Sequence, residues 1–239
     1  MDQIQQRFTE WLVPGQIPLT AEQLAQFERY YELLVEWNEK MNLTGITERA
    51  DVYEKHFYDS LTLAFHVPVQ QLESIIDVGS GAGFPGIPLK IAFPHLKLTI
   101  LDSLNKRISF LTEVSEQLGL DGVTCIHGRA EEWGRNKAHR EQYDLACARA
   151  VAKLNVLNEF CLPFVKVKGY FAAMKGMHSE EEITQAAHSL KVLGGVVEKQ
   201  PSLTLPVEQS SRHIVLIQKL KATPNKYPRK PGTPLKQPL

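Results

Sequence analysis

From residue 74 onward, short apolar runs alternate with stretches of helical periodicity, and this alternation restricts the possible folds of the chain. Five runs have the length and composition of buried strands. They lie at 75–78, 98–102, 123–126, 143–148 and 170–174. Between the second and third runs, apolar residues recur at helical spacing from Ile108 to Leu118, and Gly119 is placed to end that helix. Strands joined through helices pair in parallel, so the sequence predicts a doubly wound α/β sheet.

The last part of the apolar pattern differs from the rest. Gly194-Gly195 leads into a weak strand near Val196-Val197, and a stronger apolar run follows at 213–217 without a helical pattern between them. Two strands that lack a crossover helix pair in antiparallel fashion. We therefore expect an antiparallel pair at one edge of a mostly parallel sheet.

Residues 1–66 carry helical periodicity only. A helical spacing in the first twelve residues ends at Pro14-Gly15, and a capping box formed by Thr20 and Gln23 begins a second helix. A third helix is expected over 53–65, where apolar residues recur every four positions. These apolar stripes predict core packing.

Charge is distributed unevenly along a chain whose 27 basic and 27 acidic residues balance. Residues 1–65 hold eleven acidic and five basic side chains, whereas residues 219–239 hold six basic side chains and no acidic one. The tail is also rich in proline, which predicts an extended conformation, and its charge suits a polyanionic partner. We therefore divide the chain into a helical region (1–68), an α/β domain (69–220) and a basic tail (221–239).

Composition excludes several classes of protein. No apolar stretch approaches the roughly 18–20 residues of a membrane span, and the first residues lack the layout of a signal peptide. Three cysteines without a Cys-x-x-Cys pair argue against a disulfide scaffold and against a structural zinc site. We expect reduced thiols, a cytoplasmic location, no metal and no membrane partner.

The run Asp77-Val78-Gly79-Ser80-Gly81-Ala82-Gly83-Phe84-Pro85-Gly86 follows the first predicted strand and precedes a helix. Glycines there let the backbone turn tightly and approach a ligand, and open α/β sheets bind ligands outside the carboxyl ends of their strands. Gly81-x-Gly83-x-x-Gly86 matches the dinucleotide fingerprint, with Asp102 at about the right distance for a ribose. However, Asp77 would repel a pyrophosphate and attract the ammonium and sulfonium of S-adenosylmethionine. The sequence favours S-adenosylmethionine, and an NAD-dependent oxidoreductase is the alternative.

Two further segments complete the predicted cofactor site. Asp102, at the end of the second strand, would accept hydrogen bonds from two ribose hydroxyls. Arg129-Ala130-Glu131 follows the third strand, where an adenine edge would lie. Main-chain groups or Glu131 could bind the exocyclic amine of that base.

The fourth strand ends at Ala148-Arg149-Ala150, where methyltransferases commonly present the acceptor. The run lacks the Asn/Asp-Pro-Pro-aromatic motif used on exocyclic base amines and the Pro-Cys pair used on pyrimidine carbons. His56, His127 and His213 are predicted to be structural, so no general base stands out. An acceptor such as guanine N7, whose lone pair is free at neutral pH, would need none. Arg149 could bind the methionyl carboxylate or a phosphate.

Seven segments, taken together and in order, resemble the RsmG family, also called glucose-inhibited division protein B. They are Trp37-Asn38-Glu39-Lys40-Met41-Asn42-Leu43-Thr44, His56-Phe57-Tyr58-Asp59-Ser60, the run from Asp77 to Gly86, Asp102-Ser103-Leu104-Asn105-Lys106-Arg107, Arg129-Ala130-Glu131, Ala148-Arg149-Ala150 and Tyr227-Pro228-Arg229-Lys230-Pro231-Gly232-Thr233-Pro234. The likeness covers nearly the whole chain, and the tail is most similar to those of Gram-positive members.

The resemblance implies a Rossmann-like class I S-adenosylmethionine-dependent methyltransferase domain behind an N-terminal helical region. It further implies methylation of a guanine at N7 in 16S rRNA, with the 30S ribosomal subunit or an assembly intermediate as partner; we expect a monomer. The predicted cofactor-binding residues are Asp77, Gly79, Gly81, Phe84, Asp102, Ala130, Glu131 and Arg149. The predicted RNA-binding residues, chosen by charge and position, are Lys106, Arg107, Arg135, Lys175, Arg229 and Lys230. Two alternatives stay open: a small-molecule methyltransferase, which would not need the basic tail, and an RNA-associated protein without catalysis.

Overall fold

The computed structural model describes residues 1–176 and 179–239, which are built around an eight-stranded sheet. The strands are β1 (Ser74–Val78), β2 (Lys97–Asp102), β3 (Val123–His127), β4 (Tyr143–Arg149), β5 (Val165–Lys175), β6 (Gly195–Lys199), β7 (Ser202–Thr204) and β8 (Ser211–Lys219). Their order is β3-β2-β1-β4-β5-β8-β6, and β7 pairs with β8. Strands β1 to β5 pair in parallel, whereas β8 is antiparallel to β5, β6 and β7. The predicted doubly wound sheet with an antiparallel edge is therefore confirmed.

The antiparallel edge contains one strand more than the sequence suggested. The apolar run at 213–217 forms the middle of β8, which is buried because it lies between β5 and β6. Strand β7 was not expected, since its three residues, Ser202–Thr204, are too few to show alternation.

Helices cover both faces of the sheet. The α-helical segments of the described residues are α1 (Gln3–Leu12), α2 (Ala21–Met41), α3 (Arg49–Val52), α4 (Asp59–Leu61), α5 (Gly86–Ala92), α6 (Asn105–Gln117), α7 (Ala130–Trp133), α8 (Leu154–Cys161), α9 (Ser179–Gln185), α10 (Ala187–Leu193) and α11 (Thr233–Lys236). The predicted capping box begins α2: Gln23 N donates to Thr20 Oγ1 at 3.2 Å, and Thr20 N donates to Gln23 Oε1 at 2.8 Å. Within the described ranges, no helix is both long enough and apolar enough to cross a membrane.

Alternate residues of the strands contribute to two apolar cores. Ile75 and Ile100 belong to the core covered by α1, α2, α5 and α6, whereas Ile76 and Leu101 belong to the core covered by α8 and α10. The N-terminal helices thus share a core with the sheet and are held against it. The division at residues 68 and 220 stays a prediction.

The third predicted helix is irregular. After α3, residues Tyr53–Tyr58 form a π-helical segment, which α4 and a 3₁₀ turn at Thr62–Phe65 continue. A π turn holds more residues than an α turn, which lets the four-residue spacing of Tyr53, Phe57 and Leu61 keep all three side chains buried. The sequence predicted a regular helix in this segment, and the structure differs from that prediction by the wider π turn.

The tail is not a free extended arm. Arg140 donates through Nη2 to Thr223 O at 2.6 Å and through Nη1 to Tyr227 O at 2.9 Å, while Arg135 Nε donates to Pro228 O at 2.7 Å. Carbonyls that a proline-rich segment cannot pair within itself are thus bound by guanidinium groups of the α/β domain. The expectation of a wholly extended tail is wrong, since α11 lies within it.

Candidate active site

The glycine-rich loop between β1 and α5 turns through three residues with positive φ: Gly79 (72°), Gly81 (63°) and Gly83 (102°). At Gly79, an added Cβ would lie 2.8 Å from a methyl group of Val151. At Gly83, it would collide with the hydroxyl of Tyr30 and lie 2.8 Å from Leu111 Cδ2. Only glycine fits these two positions, and its small size brings the backbone close to α2 and to the segment that follows β4.

Five amides between Gly79 and Gly86 already donate to acceptors within the protein. Gly81 N donates to Asp102 Oδ2 at 2.9 Å and Gly86 N to Asp77 Oδ2 at 2.8 Å. The amides of Gly79, Gly83 and Phe84 donate to backbone carbonyls. A pyrophosphate needs such donors free. The loop is therefore poorly suited to a dinucleotide.

Asp77 lies beneath the loop and is fully buried. Its Oδ2 accepts from Ser80 Oγ at 2.6 Å and from Gly86 N at 2.8 Å, while its Oδ1 has no hydrogen-bond partner. Burial raises the pKa of Asp77 to about 6, although the hydrogen bonds from Ser80 and Gly86 favour the ionised form. The carboxyl group thus joins the two ends of the loop. The sequence predicted that it would face a ligand, whereas the structure shows it buried.

Asp102 has a similar role one strand away. Its Oδ1 accepts from Leu104 N at 2.9 Å, its Oδ2 accepts from Gly81 N, and Arg107 Nη1 lies 3.4 Å from Oδ2. The side chain is buried. Its contact with a ribose stays a prediction.

A cavity of about 170 Å³ lies at the carboxyl ends of β1 to β4. Its lining is Val78, Gly79, Leu101, Ser103, Gly128, Arg129, Ala130, Glu131, Val151, Phe160 and Leu235. The structure thus brings together three predicted cofactor residues, Gly79, Ala130 and Glu131. It adds Leu235 from the tail, which the sequence argument did not include. The mostly apolar walls and one buried carboxylate suit a nucleoside, and we name this cavity the nucleoside pocket.

A second cavity, of about 350 Å³, lies on the other side of the segment that follows β4. Its lining is Ile46, Lys55, His56, Asp59, Arg149, Ala150, Met174, Lys175, Gly176, Glu208, Arg212, His213 and Ile214. The lining holds four cations and two carboxylates, and two of the cations, Lys55 and Lys175, also pair with Asp51 and Glu182 outside it. We name it the cationic cavity.

Arg149 is the centre of the cationic cavity. Its Nη1 donates to Asp59 Oδ2 at 2.8 Å and to Lys55 O at 3.0 Å, and its Cζ lies 4.9 Å from the ring centroid of Phe84. The other oxygen of Asp59 lies 3.5 Å from Arg212 Nε. Arg149 is therefore fixed by a carboxylate, a carbonyl and an aromatic face at the mouth of the glycine loop.

His56 contacts both Arg149 and Phe84, and its ring is stacked 4.5 Å from that of Phe84. Burial, reinforced by the charge of Arg149, lowers the pKa of His56 to about 3, so the ring is neutral at pH 7. His56 Nδ1 lies 3.2 Å from Arg149 Nη2 and 3.1 Å from Lys55 O. On the other side of the ring, Nε2 lies 2.9 Å from Thr44 Oγ1. Both ring nitrogens therefore lie within hydrogen-bond distance of protein groups.

The predicted RNA-binding residues are scattered. Lys106 and Lys230 are exposed, and Lys175 lines the cationic cavity, where its Nζ lies 2.8 Å from Glu182 Oε2. Arg135 is bonded to tail carbonyls, and Arg229 forms a charge pair with buried Glu159. These two guanidinium groups hold the tail, which argues against their prediction as phosphate contacts.

Sequence reasoning missed the contribution of the N-terminal helices to the site. His56 was predicted to be structural, and Asp59 and Arg212 were not predicted as site residues, yet all three line the cationic cavity. Asp59 lies three positions after His56, so the segment could have been found as a polar cluster within an otherwise apolar helix. Arg212 gives no such signal, since only the sheet order brings β8 beside the end of β4 through β5.

The sheet order, the glycine turn after β1 and the cavity at the strand ends define the class of protein: this is the fold of class I S-adenosylmethionine-dependent methyltransferases. Among solved structures, TrmN from Thermus thermophilus matches with a TM-score of 0.52 and 14% identity, covering 70% of this chain and 53% of that one. MtNAS, in complex with MTA and tNA, matches with a TM-score of 0.54 and 17% identity, covering 80% and 71%. At these identities the likeness is one of fold.

The family model described as rRNA small subunit methyltransferase G matches residues 23–215. Curated relatives with the name ribosomal RNA small subunit methyltransferase G include that of Brevibacillus brevis, 55% identical over 98% of both chains. Another, from Halalkalibacterium halodurans, is 60% identical over 92% of this chain and 93% of its own. The chain belongs to this family. It is a methyltransferase, and S-adenosylmethionine is its methyl donor.

Proposed function

We propose that the protein transfers the methyl group of S-adenosylmethionine to N7 of a guanine in the 16S rRNA of the small ribosomal subunit. The relatives' name supports an rRNA substrate. The observation that carries the proposal is the cationic cavity beside the nucleoside pocket, because four cations there suit a nucleotide with its phosphates. The protein would act in the cytoplasm, as a monomer.

The chemistry of the cavity supports guanine N7 as the acceptor atom. Methyl transfer from a sulfonium is an in-line displacement, so the enzyme must chiefly align two reactants. Both nitrogens of His56 are engaged, and Asp59 is paired with Arg149. Neither group is free to remove a proton. Guanine N7 suits such a site because its lone pair attacks without deprotonation.

The cofactor would lie across the glycine loop. In this proposal its adenosine occupies the pocket lined by Gly79, Ala130 and Glu131, and its methionyl part extends past Gly81 and Phe84 toward Arg149. Arg149 lines the cationic cavity and packs over Phe84 of the glycine loop, so its guanidinium would orient either the methionyl carboxylate or the target nucleotide. Lys175, which also lines the cationic cavity, would contact the RNA.

The test is methyl incorporation into 30S subunits that lack the modification. We expect label from S-adenosylmethionine in 16S rRNA, with strand cleavage specific for N7-methylguanine marking one nucleotide. Arg149→Ala should lower kcat/KM about tenfold or more, the equivalent of one lost charge-assisted hydrogen bond. Arg7→Ala, at an exposed position of α1, is the matched control and should leave the rate unchanged.

Incorporation at another base atom would refute the N7 assignment. Binding of the donor without incorporation into RNA would favour a small-molecule acceptor or the protein without catalysis. Calorimetric binding of NAD, with none of S-adenosylmethionine, would favour the oxidoreductase.

A further inference from the structure

The tail contributes a wall to the nucleoside pocket. Leu235 lies in α11 and lines the cavity together with Gly79, Ala130 and Phe160. Its side chain is 55% exposed. A flat apolar ligand that covered this leucine would remove its side chain from water, which is favourable for binding.

The segment that carries Leu235 is anchored by an ion pair between a half-buried arginine and a buried glutamate. Arg229 donates through Nε to Glu159 Oε1 at 3.0 Å and through Nη2 to Glu159 Oε2 at 2.6 Å, while its backbone N donates to Oε1 at 2.7 Å. Glu159 is fully buried in α8. Such a bidentate pair fixes both position and orientation. The position of the tail is therefore fixed at Arg229, six residues before Leu235.

A second anchor joins the tail directly to the pocket. Gly232 N donates to Glu131 Oε1 at 2.9 Å. Gly232 has a φ of 81°, which lets the chain turn from this contact into α11. Glu131 is buried and lines the pocket, so the tail determines how its carboxylate is oriented.

We propose that residues 223–236 complete the binding site for the adenosine of the methyl donor, with Leu235 packing on the adenine and Gly232 orienting Glu131. The proposal rests on the proposed function in placing that nucleoside in this pocket. The charge of the tail had predicted a basic arm that binds RNA, and the proposed role in donor binding replaces that prediction. Leu235 would act as a binding residue, and Gly232 as a positioning residue.

Calorimetric titration of the full chain with S-adenosylmethionine tests the proposal. Leu235→Ala should raise Kd about threefold and Leu235→Asp about tenfold or more, because the first removes apolar contact and the second adds a charge that needs water. Leu220→Ala is the matched control: Leu220 is 52% exposed and does not line the pocket. Its Kd should stay within about twofold of the wild type.

A kinetic measurement separates this role from an RNA role. With 30S subunits as acceptor, the Leu235 variants should raise KM for the methyl donor and leave KM for the subunit unchanged. Equal donor affinity in all variants, with tight binding by the wild type, would overturn the role of the tail and leave the proposed function standing. Failure of the wild type to bind the donor would overturn the proposed function itself. A rise in KM for the subunit alone would restore the RNA role of the tail.

Discussion

At the scale of single residues, carboxylates of the site do more to hold the protein together than to face a ligand. Asp77 and Asp102 were predicted to lie at the ends of the first two strands, and they lie within the last two positions of β1 and β2. Their oxygens, however, accept from amides of the glycine loop. The sequence could place these residues at the strand ends, but it could not show which of their oxygens the chain itself would use.

Asp77 makes stability depend on pH. Its pKa is about 6 in the folded protein and 3.8 when unperturbed, so the unfolded chain ionises first as the pH rises. The free energy of unfolding therefore falls as the pH rises from about 4 to about 6, by up to about 3 kcal/mol for two pKa units. In Asp77→Asn this loss should vanish, which urea unfolding at several pH values would measure. Parallel pH profiles for the two proteins would contradict the raised pKa.

At the scale of elements, α2 supports the glycine loop through Tyr30. Its hydroxyl donates to Ala82 O at 2.5 Å, and its ring packs against Phe57 and Phe84. The sequence predicted Thr20 and Gln23 as the start of α2, because capping is a local interaction. It could not predict that Tyr30 would reach a loop 52 residues away.

Tyr30→Phe should destabilise the protein by about 1–3 kcal/mol, since it leaves a buried carbonyl without its donor. A looser loop should also lower the affinity for S-adenosylmethionine about fivefold. Tyr31→Phe is the matched control on the same helix, because its hydroxyl donates to the exposed Thr47 O at 3.2 Å. Urea unfolding and calorimetry measure the two effects. Equal results for the two variants would show that the hydroxyl of Tyr30 does not support the loop.

At the scale of the whole molecule, the two ends of the chain meet the α/β domain at its binding edge. The helical region supplies His56 and Asp59 to the cationic cavity, and the tail supplies Leu235 to the nucleoside pocket. The strand pattern predicted the sheet because period and length are local properties. The placement of the tail depends on a pair between Glu159 and Arg229, 70 residues apart, which periodicity cannot reveal.

Arg229→Ala should cost about 3–5 kcal/mol of stability, because it leaves Glu159 buried without a counter-charge. Adding Glu159→Leu should recover more than half of that loss. Lys230→Ala, at the exposed neighbour, should stay within about 0.5 kcal/mol of the wild type. Urea unfolding of the four proteins provides the comparison. Unchanged stability of Arg229→Ala together with weaker 30S binding would instead support the RNA contact expected from charge.

The π-helical turn at Tyr53–Tyr58 also limits how this segment can evolve. Removing one residue there would rotate the preceding helical residues relative to the following ones by about 100°. His56 would then lose its register with Asp59, or Tyr53 would leave the core. Surface loops tolerate insertions and deletions, but selection should act against them in these six positions. The length of this segment should therefore be as strictly constrained as the identity of any side chain of the cavity.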